Sequence, residues 1–210
     1  MSHNVLRSTL YAATFSAAIL AVACSDSTTS QGTGSLRIQL TDAPFSSDSV
    51  KRVDIYVVRV DAKVADSDSS DAATATSTDS AAAGGWTTIA TPNALIELLA
   101  LRNGIFTTLG AKTVAAGEYK SLRLIIDPSK SSVTLKNGAV LTSTSSPSVS
   151  FPSAARSGIK IKLASPLTVR ANDTTTTLVD FDVDNSFVQR GNSIAQNGLL
   201  FKPVIKATIR

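Results

Sequence analysis

Three aspartates spaced two residues apart form the densest set of possible metal ligands in the sequence: Asp180, Asp182 and Asp184. On an extended strand, side chains two residues apart point to the same face, so successive carboxylates would lie about 6.6–6.8 Å apart. If Asp42 came alongside, the four side chains would offer the hard oxygen ligands that calcium prefers. The alternative, which the sequence favours, is an exposed strand face on which Asp182 pairs with a cross-strand Lys or Arg.

The side chains that most hydrolases need are scarce. The only histidine is His3, and it precedes an apolar N-terminal segment with which it would be removed. Without it, Ser-His-Asp catalysis, Cys-His catalysis and histidine-bound zinc are excluded. Glu97, Glu118 and the aspartates remain as material for a two-carboxylate glycosidase, whose pair would have to lie about 5–9 Å apart in a cleft. We therefore expect no catalytic residues, no enzyme activity and, calcium apart, no cofactor.

The N-terminus has the layout of a bacterial lipoprotein signal. Arg7 precedes an apolar run from Leu10 to Ala23, and Cys24, the only cysteine, follows it. The run is shorter than the roughly 18 residues that span a bilayer. Cleavage before Cys24, followed by addition of a diacylglyceryl group and an amide-linked acyl chain, would anchor the protein to a membrane. The alternative is an ordinary secretory signal that leaves a free thiol.

The residues after the cysteine bear on the location. Asp26 lies one place beyond the position at which Asp resembles an inner-membrane retention signal. We therefore expect a lipid-anchored protein of the bacterial cell envelope, on the outer membrane.

Two polar segments divide the sequence that follows the signal peptide of residues 1–23. Residues 24–34 are small and polar without apolar periodicity, which predicts a flexible tether. Residues 65–85 consist of Ala, Asp, Ser, Thr and Gly, and they would bury too little apolar surface to offset the entropy of ordering them. We expect one domain over residues 35–210, with a disordered insertion at about 65–85.

Alternation of apolar and polar residues predicts many β-strands and little helix. The segments concerned are 36–41, 50–64, 86–89, 119–126, 133–135, 140–141, 159–163, 178–183 and 200–209. Between two of them, Asn137-Gly138 is a strong hairpin signal. Short strands at this density, separated by Gly, Pro and Asn turns, predict an all-β fold, namely a two-layer β-sandwich of immunoglobulin-like architecture.

Two of these segments carry more specific expectations. In the longest one, which should be central, Val53, Ile55 and Val57 would share one face and Val60 would lie on the other. Residues 95–101 are continuously apolar, and periodicity alone leaves open whether they form a buried strand or one short helix.

Charge is unevenly distributed along the sequence. Residues 24–100 contain five Lys and Arg against ten Asp and Glu, whereas residues 101–210 contain fourteen against six. A basic stripe on the second half could bind anionic glycans, lipopolysaccharide or phospholipid head groups. The favoured alternative is a solvated strand face, because four lysines fall at outward strand positions: Lys160, Lys162, Lys202 and Lys206. Nucleic acid is not an expected partner of an exported chain with few exposed aromatics.

Several short segments occur in an order that resembles one known family. They are Leu40-Thr41-Asp42-Ala43-Pro44, Gly85-Trp86-Thr87, Ala116-Gly117-Glu118-Tyr119 followed by Leu122-Arg123-Leu124, Asp180-Phe181-Asp182, and Leu200-Phe201-Lys202-Pro203-Val204-Ile205. As a set they resemble a family of prokaryotic envelope lipoprotein domains known only as a domain of unknown function. The resemblance spans residues 35–210. It implies a transthyretin- or prealbumin-like sandwich and an envelope location, without an activity.

Three functions fit these observations. A non-catalytic envelope module that binds a glycan or a protein partner is favoured, because a sandwich presents loops and sheet faces while the catalytic residue types are missing. The second is a structural or assembly lipoprotein whose sheet edge pairs with a neighbouring chain. The third is a carboxylate-based, glycan-active enzyme. In each case the membrane is a partner through the N-terminal acyl chains.

Overall fold

The computed structural model describes residues 32–43, 49–65, 85–152 and 157–210. The predicted signal peptide, Cys24, nearly all of the tether and nearly all of the 65–85 insertion lie outside these residues, so those expectations stay predictions. Within the described ranges, no helix combines the length and the apolar character needed to cross a bilayer.

Strands account for most of the described chain, and helix is confined to single turns. The strands are β1 (Thr33–Asp42), β2 (Val50–Val64), β3 (Trp86–Ala90), β4 (Ala94–Glu97), β5 (Thr107–Ala115), β6 (Gly117–Leu135), β7 (Val140–Leu141), β8 (Val149–Ser150), β9 (Ile159–Val169), β10 (Thr174–Phe181), β11 (Phe187–Gln189), β12 (Leu199–Phe201) and β13 (Ile205–Ile209). A 3₁₀ turn covers Leu98–Leu101, and the one-turn helices are α1 (Val183–Ser186) and α2 (Ile194–Asn197).

The strands form two main sheets that share one core. The first sheet has the order β13-β10-β1-β5, in which β1 runs parallel to β10 and antiparallel to β5. In the second, β2 and β6 are central, with β3 and β4 beside β2 and with β7 and β9 beside β6. Leu36 and Ile38 of the first sheet and Ile55 and Leu122 of the second are at most 1% exposed and belong to the same apolar cluster. The predicted two-layer β-sandwich is confirmed.

The long strand β2 has the predicted bounds and the predicted central place, but its two faces change partway along. A register shift between Val57 and Arg59 reverses the alternation of side chains. Val60, predicted to lie opposite Val57, is therefore on the core face and 1% exposed. Arg59 and Asp61 take the outer face instead. A bulge of this kind is the physical reason that the simple period-two prediction failed here.

Other predicted segments merge or split in the structure. Segments 119–126 and 133–135 are parts of the single strand β6, and the Asn137-Gly138 turn that leads to β7 is confirmed. Segment 95–101 is a strand in its first half and a 3₁₀ turn in its second. Segment 200–209 is divided between β12, in a small third sheet of order β11-β12-β8, and β13, in the first sheet. Pro203 lies between them and has no N–H to donate to a ladder.

Strand β1 runs the length of the sandwich and defines its two ends. At the end that we call proximal, where the described chain begins, the carbonyl groups of Gly32 and Thr33 accept the N–H groups of Ala116 and Asn172. At the opposite end, which we call distal, β1 finishes at Asp42 after ten residues. A ten-residue strand separates the two ends by about 30 Å.

Candidate functional site

Two adjoining cavities of about 410 and about 210 Å³ form a cleft at the distal end. Val183 places the cleft at this end, because it borders the smaller cavity and its N–H donates to Asp42, the last residue of β1. We call this feature the distal cleft. Its polar lining comes from Ser49, Lys136, Asn137, Asp184, Gln189, Asn192 and Ser193.

The first wall of the distal cleft is the turn between β6 and β7. The side chain of Asn137 accepts the N–H of Ala139 at 3.0 Å, and Gly138 takes a φ of 89° that favours glycine. The N–H of Lys136 donates to the carbonyl of Ser49 at 2.9 Å, which joins this turn to the chain leading into β2. The turn is therefore held by its own side-chain bond and by one backbone bond to Ser49.

The second wall is the segment that contains α2. Ser193 caps the helix by accepting the N–H of Ala195, and Gly198 ends it with a φ of 72°. A side chain on Gly198 would collide with the backbone of Ser148, so glycine is required there for packing as well as for conformation. The amide of Gln189 donates to Gly191 at 3.1 Å. These bonds hold the polar rim of the cleft in place.

An apolar cluster supports the distal cleft from below. Phe201 is 2% exposed, and its ring lies 5.0 Å from that of Phe187 and 5.1 Å from that of Phe151. Phe187 also lines the smaller cavity, together with Val50 and Leu199. Packed aromatic rings at these distances stabilise one arrangement, so the floor of the cleft is preformed.

The lining of the distal cleft suits binding rather than acid–base catalysis. Amide and hydroxyl groups donate and accept hydrogen bonds, and an apolar floor can cover the C–H faces of the same ligand. Among the described residues that line the two cavities, only Lys136 and Asp184 are charged.

Asp42 lies behind the wall of the distal cleft and is 4% exposed. Its Oδ1 accepts the N–H of Val183 at 3.2 Å, while its Oδ2 has no hydrogen-bond partner among the described residues. Burial raises the pKa of Asp42 to about 7, helped by the charges of Asp180 and Asp182 and opposed by this hydrogen bond and by Arg102. The carboxyl group therefore changes its charge near neutral pH.

The predicted period-two face of three aspartates is wrong. Strand β10 ends at Phe181, so the extended backbone stops before the second aspartate. Asp182 caps α1 and accepts the N–H of Asn185 at 3.0 Å, and Asp184 is exposed in the first turn of α1. Only Asp180 remains on the strand, where burial first and the charge of Asp182 second raise its pKa.

The calcium prediction required Asp42 to come alongside these residues. Asp42 does lie close enough to Asp180 and Asp182 for their charges to raise its pKa. Yet among the residues that the structure describes, no group of three or more His, Cys, Asp and Glu side chains is arranged to hold a metal ion. Calcium binding by Asp42, Asp180, Asp182 and Asp184 gains no support from this geometry and stays a prediction.

The two glutamates considered for glycosidase chemistry lie far apart. Glu97 is paired in register with Asp54 near the distal end, whereas Glu118 belongs to the opposite end of β6, next to the end of β2. The ten residues between Asp54 and Val64 correspond to about 30 Å of strand. Glu97 and Glu118 are therefore not brought together as a catalytic pair.

Two of the segments that carried the family resemblance meet on the outer face of the second sheet. The Arg123 guanidinium lies 4.4 Å from the centroid of the Trp86 ring, and its Nη2 lies 2.7 Å from Oδ2 of Asp61. Arg59 pairs with the other oxygen of Asp61 at 2.9 Å. The Asp61 side chain is fully buried, so this network stabilises the sheet. Arg59 and Asp61 were not identified from the sequence, because charged residues in mid-strand are usually exposed.

The four lysines of the predicted basic stripe are all exposed. Lys160 and Lys162 alternate with buried isoleucines of β9 in the second sheet, while Lys206 belongs to β13 in the first. Lys202 shares a cavity with Lys160 only. Strands β9 and β13 are in contact, so the basic stripe and the solvated strand faces both stay predictions.

Comparison with known families matches residues 33–203 to DUF4382, which is described as a domain of unknown function. No curated protein and no solved structure is significantly similar to the chain. The matched residues include every strand from β1 to β12. The resemblance to a family of unknown function is confirmed, and the chain belongs to the DUF4382 family.

Proposed function

We propose that the chain is a lipid-anchored protein of the bacterial cell envelope, on the outer membrane, whose sandwich binds a glycan in the distal cleft without catalysing its breakdown. The anchor rests on the sequence around Cys24, where an apolar run ends at the only cysteine. The binding function rests on one observation, the amide- and hydroxyl-lined cleft over an apolar floor.

The placement of the two features supports the proposal. The tether would reach the domain at Gly32, at the proximal end, whereas the distal cleft lies at the opposite end of β1, about 30 Å away. A protein held to a membrane at its proximal end would present the distal cleft to the space beyond the membrane. A glycan or a protein of the envelope could reach it there.

A glycan suits the distal cleft better than a protein loop does. Asn137, Gln189 and Asn192 each present an amide with both donor and acceptor capacity, which matches the paired donors and acceptors of sugar hydroxyls. A protein surface would instead favour large aromatic and Arg contacts. Phe187 is the one aromatic residue among those that line the cleft.

The alternative of sheet-edge pairing has weaker support. The edge strand β9 carries exposed lysines and Pro166, and both features disfavour pairing with another chain. The edge strand β13 has only five residues. The enzymatic alternative also has weaker support, because its two glutamates lie at different ends of the second sheet.

The anchor is tested by mass spectrometry of the full chain expressed in bacteria and purified from membranes. The expected N-terminal residue is Cys24, carrying a diacylglyceryl thioether and an amide-linked acyl chain. The variant Cys24→Ala should be neither acylated nor retained in membranes. An unmodified thiol at Cys24, or an uncut leader, would contradict the proposal.

The binding function is tested on an array of envelope polysaccharides and cell-wall fragments. The double variant Gln189→Ala/Asn192→Ala removes two exposed rim amides, and we expect it to weaken binding by about tenfold or more, a change of about 1.4 kcal/mol. The matched control at the proximal end is Thr168→Ala/Arg170→Ala, which should bind as the wild type does. Absence of any bound glycan, or equal losses in both variants, would reject glycan binding in the cleft. A protein cross-linked in intact cells with the same dependence on Gln189 would replace the glycan as ligand.

A further inference from the structure

A separate cavity of about 330 Å³ opens at the distal end, beside the first residues of β2. Six residues line it: Lys51, Arg52, Glu97, Leu99, Ala100 and Arg102. Three of these side chains are cationic and one is acidic. The cavity shares none of these residues with the distal cleft, whose wall uses the preceding residues Ser49 and Val50.

Among the residues that the structure describes, each arginine of this cavity is bonded to the protein through its Nε. Nε of Arg102 donates to the carbonyl of Leu99 at 2.6 Å, and Nε of Arg52 donates to Oδ2 of Asp54 at 2.6 Å. A guanidinium has five N–H donors in a rigid plane, so these bonds fix the orientation of each plane and leave the terminal N–H groups available. Arg52 and Lys51 are exposed and Arg102 is half-buried, so all three can reach a ligand.

Three carboxylates lie near this positive charge: Glu97 in the lining, Asp54 bonded to Arg52, and Asp42, whose pKa responds to the charge of Arg102. Asp54 is committed to Arg52, and together with Glu97 it keeps Arg52 charged by raising its pKa. Oε1 of Glu97 is buried without a hydrogen-bond partner among the described residues. The lining of the cavity therefore has an excess of positive charge and one carboxylate that opposes an anionic ligand.

We propose that this cavity is a binding site for an oxyanion, namely the phosphate or carboxylate group of an anionic ligand. Planar guanidinium groups match the geometry of such groups through paired N–H donors, and these charge-assisted bonds are about twice as strong as neutral ones. Orienting the donors in advance lowers the entropic cost of binding. Ala100, which is exposed, adds an apolar border against which the rest of the ligand can lie.

The test is titration of the purified full chain at low ionic strength with two probes, inorganic phosphate and D-glucuronate, followed by calorimetry. We expect saturable binding of at least one probe. Binding of phosphate alone, glucuronate alone or both assigns the oxyanion that the site takes. Binding of neither probe would overturn the proposal.

Variants of the lining residues test where the anion binds and whether positive charge at the cavity strengthens its binding. Arg102→Gln should weaken binding by about tenfold or more, and Lys51→Gln, at an exposed position that leaves folding intact, should weaken it severalfold. Glu97→Gln should strengthen it, because the opposing carboxylate is removed. The matched control Arg170→Gln at the proximal end should bind as the wild type does. Equal losses at Arg102 and Arg170, or weaker binding by Glu97→Gln, would overturn the proposal.

The two sites of the distal end are distinguishable in the same experiment. The cleft variant Gln189→Ala/Asn192→Ala should keep its binding of inorganic phosphate. A failure of glycan binding in the distal cleft would therefore leave the oxyanion site standing, and the reverse also holds.

Discussion

The buried carboxylate of Asp61, toward the proximal end, has partners on both oxygens, whereas at the distal end four carboxylates each keep one buried oxygen without a partner among the described residues. At Asp61, Oδ1 lies 2.9 Å from Thr88 Oγ1 and Oδ2 lies 2.7 Å from Arg123 Nη2. The unpartnered oxygens belong to Asp42, Asp54, Glu97 and Asp180. An unpartnered buried oxygen costs stability.

Polar residues therefore have different roles at the two ends of the fold. Toward the proximal end they hold the sheets and turns together, as the bond from the Tyr119 hydroxyl to the Ala115 carbonyl also does. At the distal end the unpartnered oxygens lower stability, and among their four residues Glu97 lines the basic cavity. Substitutions that neutralise a carboxylate should therefore have opposite effects at the two ends.

The largest expected change in stability comes from Asp61, whose two carboxylate oxygens both have partners. Asp61→Asn leaves Arg59 and Arg123 buried without their counter-charge, and breaking such a pair costs about 3–5 kcal/mol. Urea unfolding measures the loss. The control Asp127→Asn removes the charge of a half-exposed partner of Lys130 but keeps an oxygen for the bonds from Ser129, and it should cost less than about 1 kcal/mol. Equal costs for the two variants would show that the Asp61 network does not stabilise the sheet.

An effect of opposite sign is expected at Asp42. Its pKa in the folded state is raised from 3.8 to about 7, so between these values the folded chain binds more protons than the unfolded chain. The contribution of this group to the free energy of unfolding is therefore fully present below about pH 4. It is lost as the pH rises through about 7, and the total loss is at most about 4 kcal/mol. Asp180, whose pKa burial also raises, contributes in the same direction.

The variant Asp42→Asn isolates this contribution. It keeps an oxygen for the N–H of Val183 but carries no charge, so it should be more stable than the wild type at pH 8 and should show a flatter dependence of stability on pH. Urea unfolding between pH 4 and pH 8 measures both. A variant that is less stable than the wild type at pH 8 would break the contrast between the two ends.

The smallest effect is expected at the proximal end. Tyr119→Phe keeps the buried ring, which is 2% exposed, and removes only the hydroxyl that donates to Ala115 at 3.0 Å. The loss should be about 1 kcal/mol, measured as a lower midpoint of urea unfolding. A neutral or stabilising result would show that the proximal end also tolerates loss of its polar contacts.

Much of the fold follows from local sequence, and the exceptions have local causes. Alternation of apolar and polar residues predicted the bounds of β2, and Asn137-Gly138 predicted the hairpin, because both patterns depend only on neighbouring residues. The bulge after Val57 was not predictable, because one extra residue in a strand leaves no trace in composition. Asp182 was misassigned, since an N-cap aspartate fits a period of two as well as it fits a helix start.

The candidate site was harder to predict than the fold. Ser193 and Gly198 are the two caps of α2, and this spacing was the available signal for a helical turn. Gln189 and Asn192 gave no signal, because their role depends on the approach of β2 and β6 to the segment around α2. The orientation of Arg52 and Arg102 likewise depends on single contacts that connect different elements.

The most direct test of binding at the distal end is hydrogen exchange of the full chain, measured by mass spectrometry with and without the glycan that binds most strongly on the array. Protection should appear in peptides that cover residues 133–141 and 183–200, and peptides that cover 113–119 and 165–175 should exchange at unchanged rates. Protection confined to the proximal peptides, or spread equally over both ends, would contradict the assignment of ligand binding to the distal cleft.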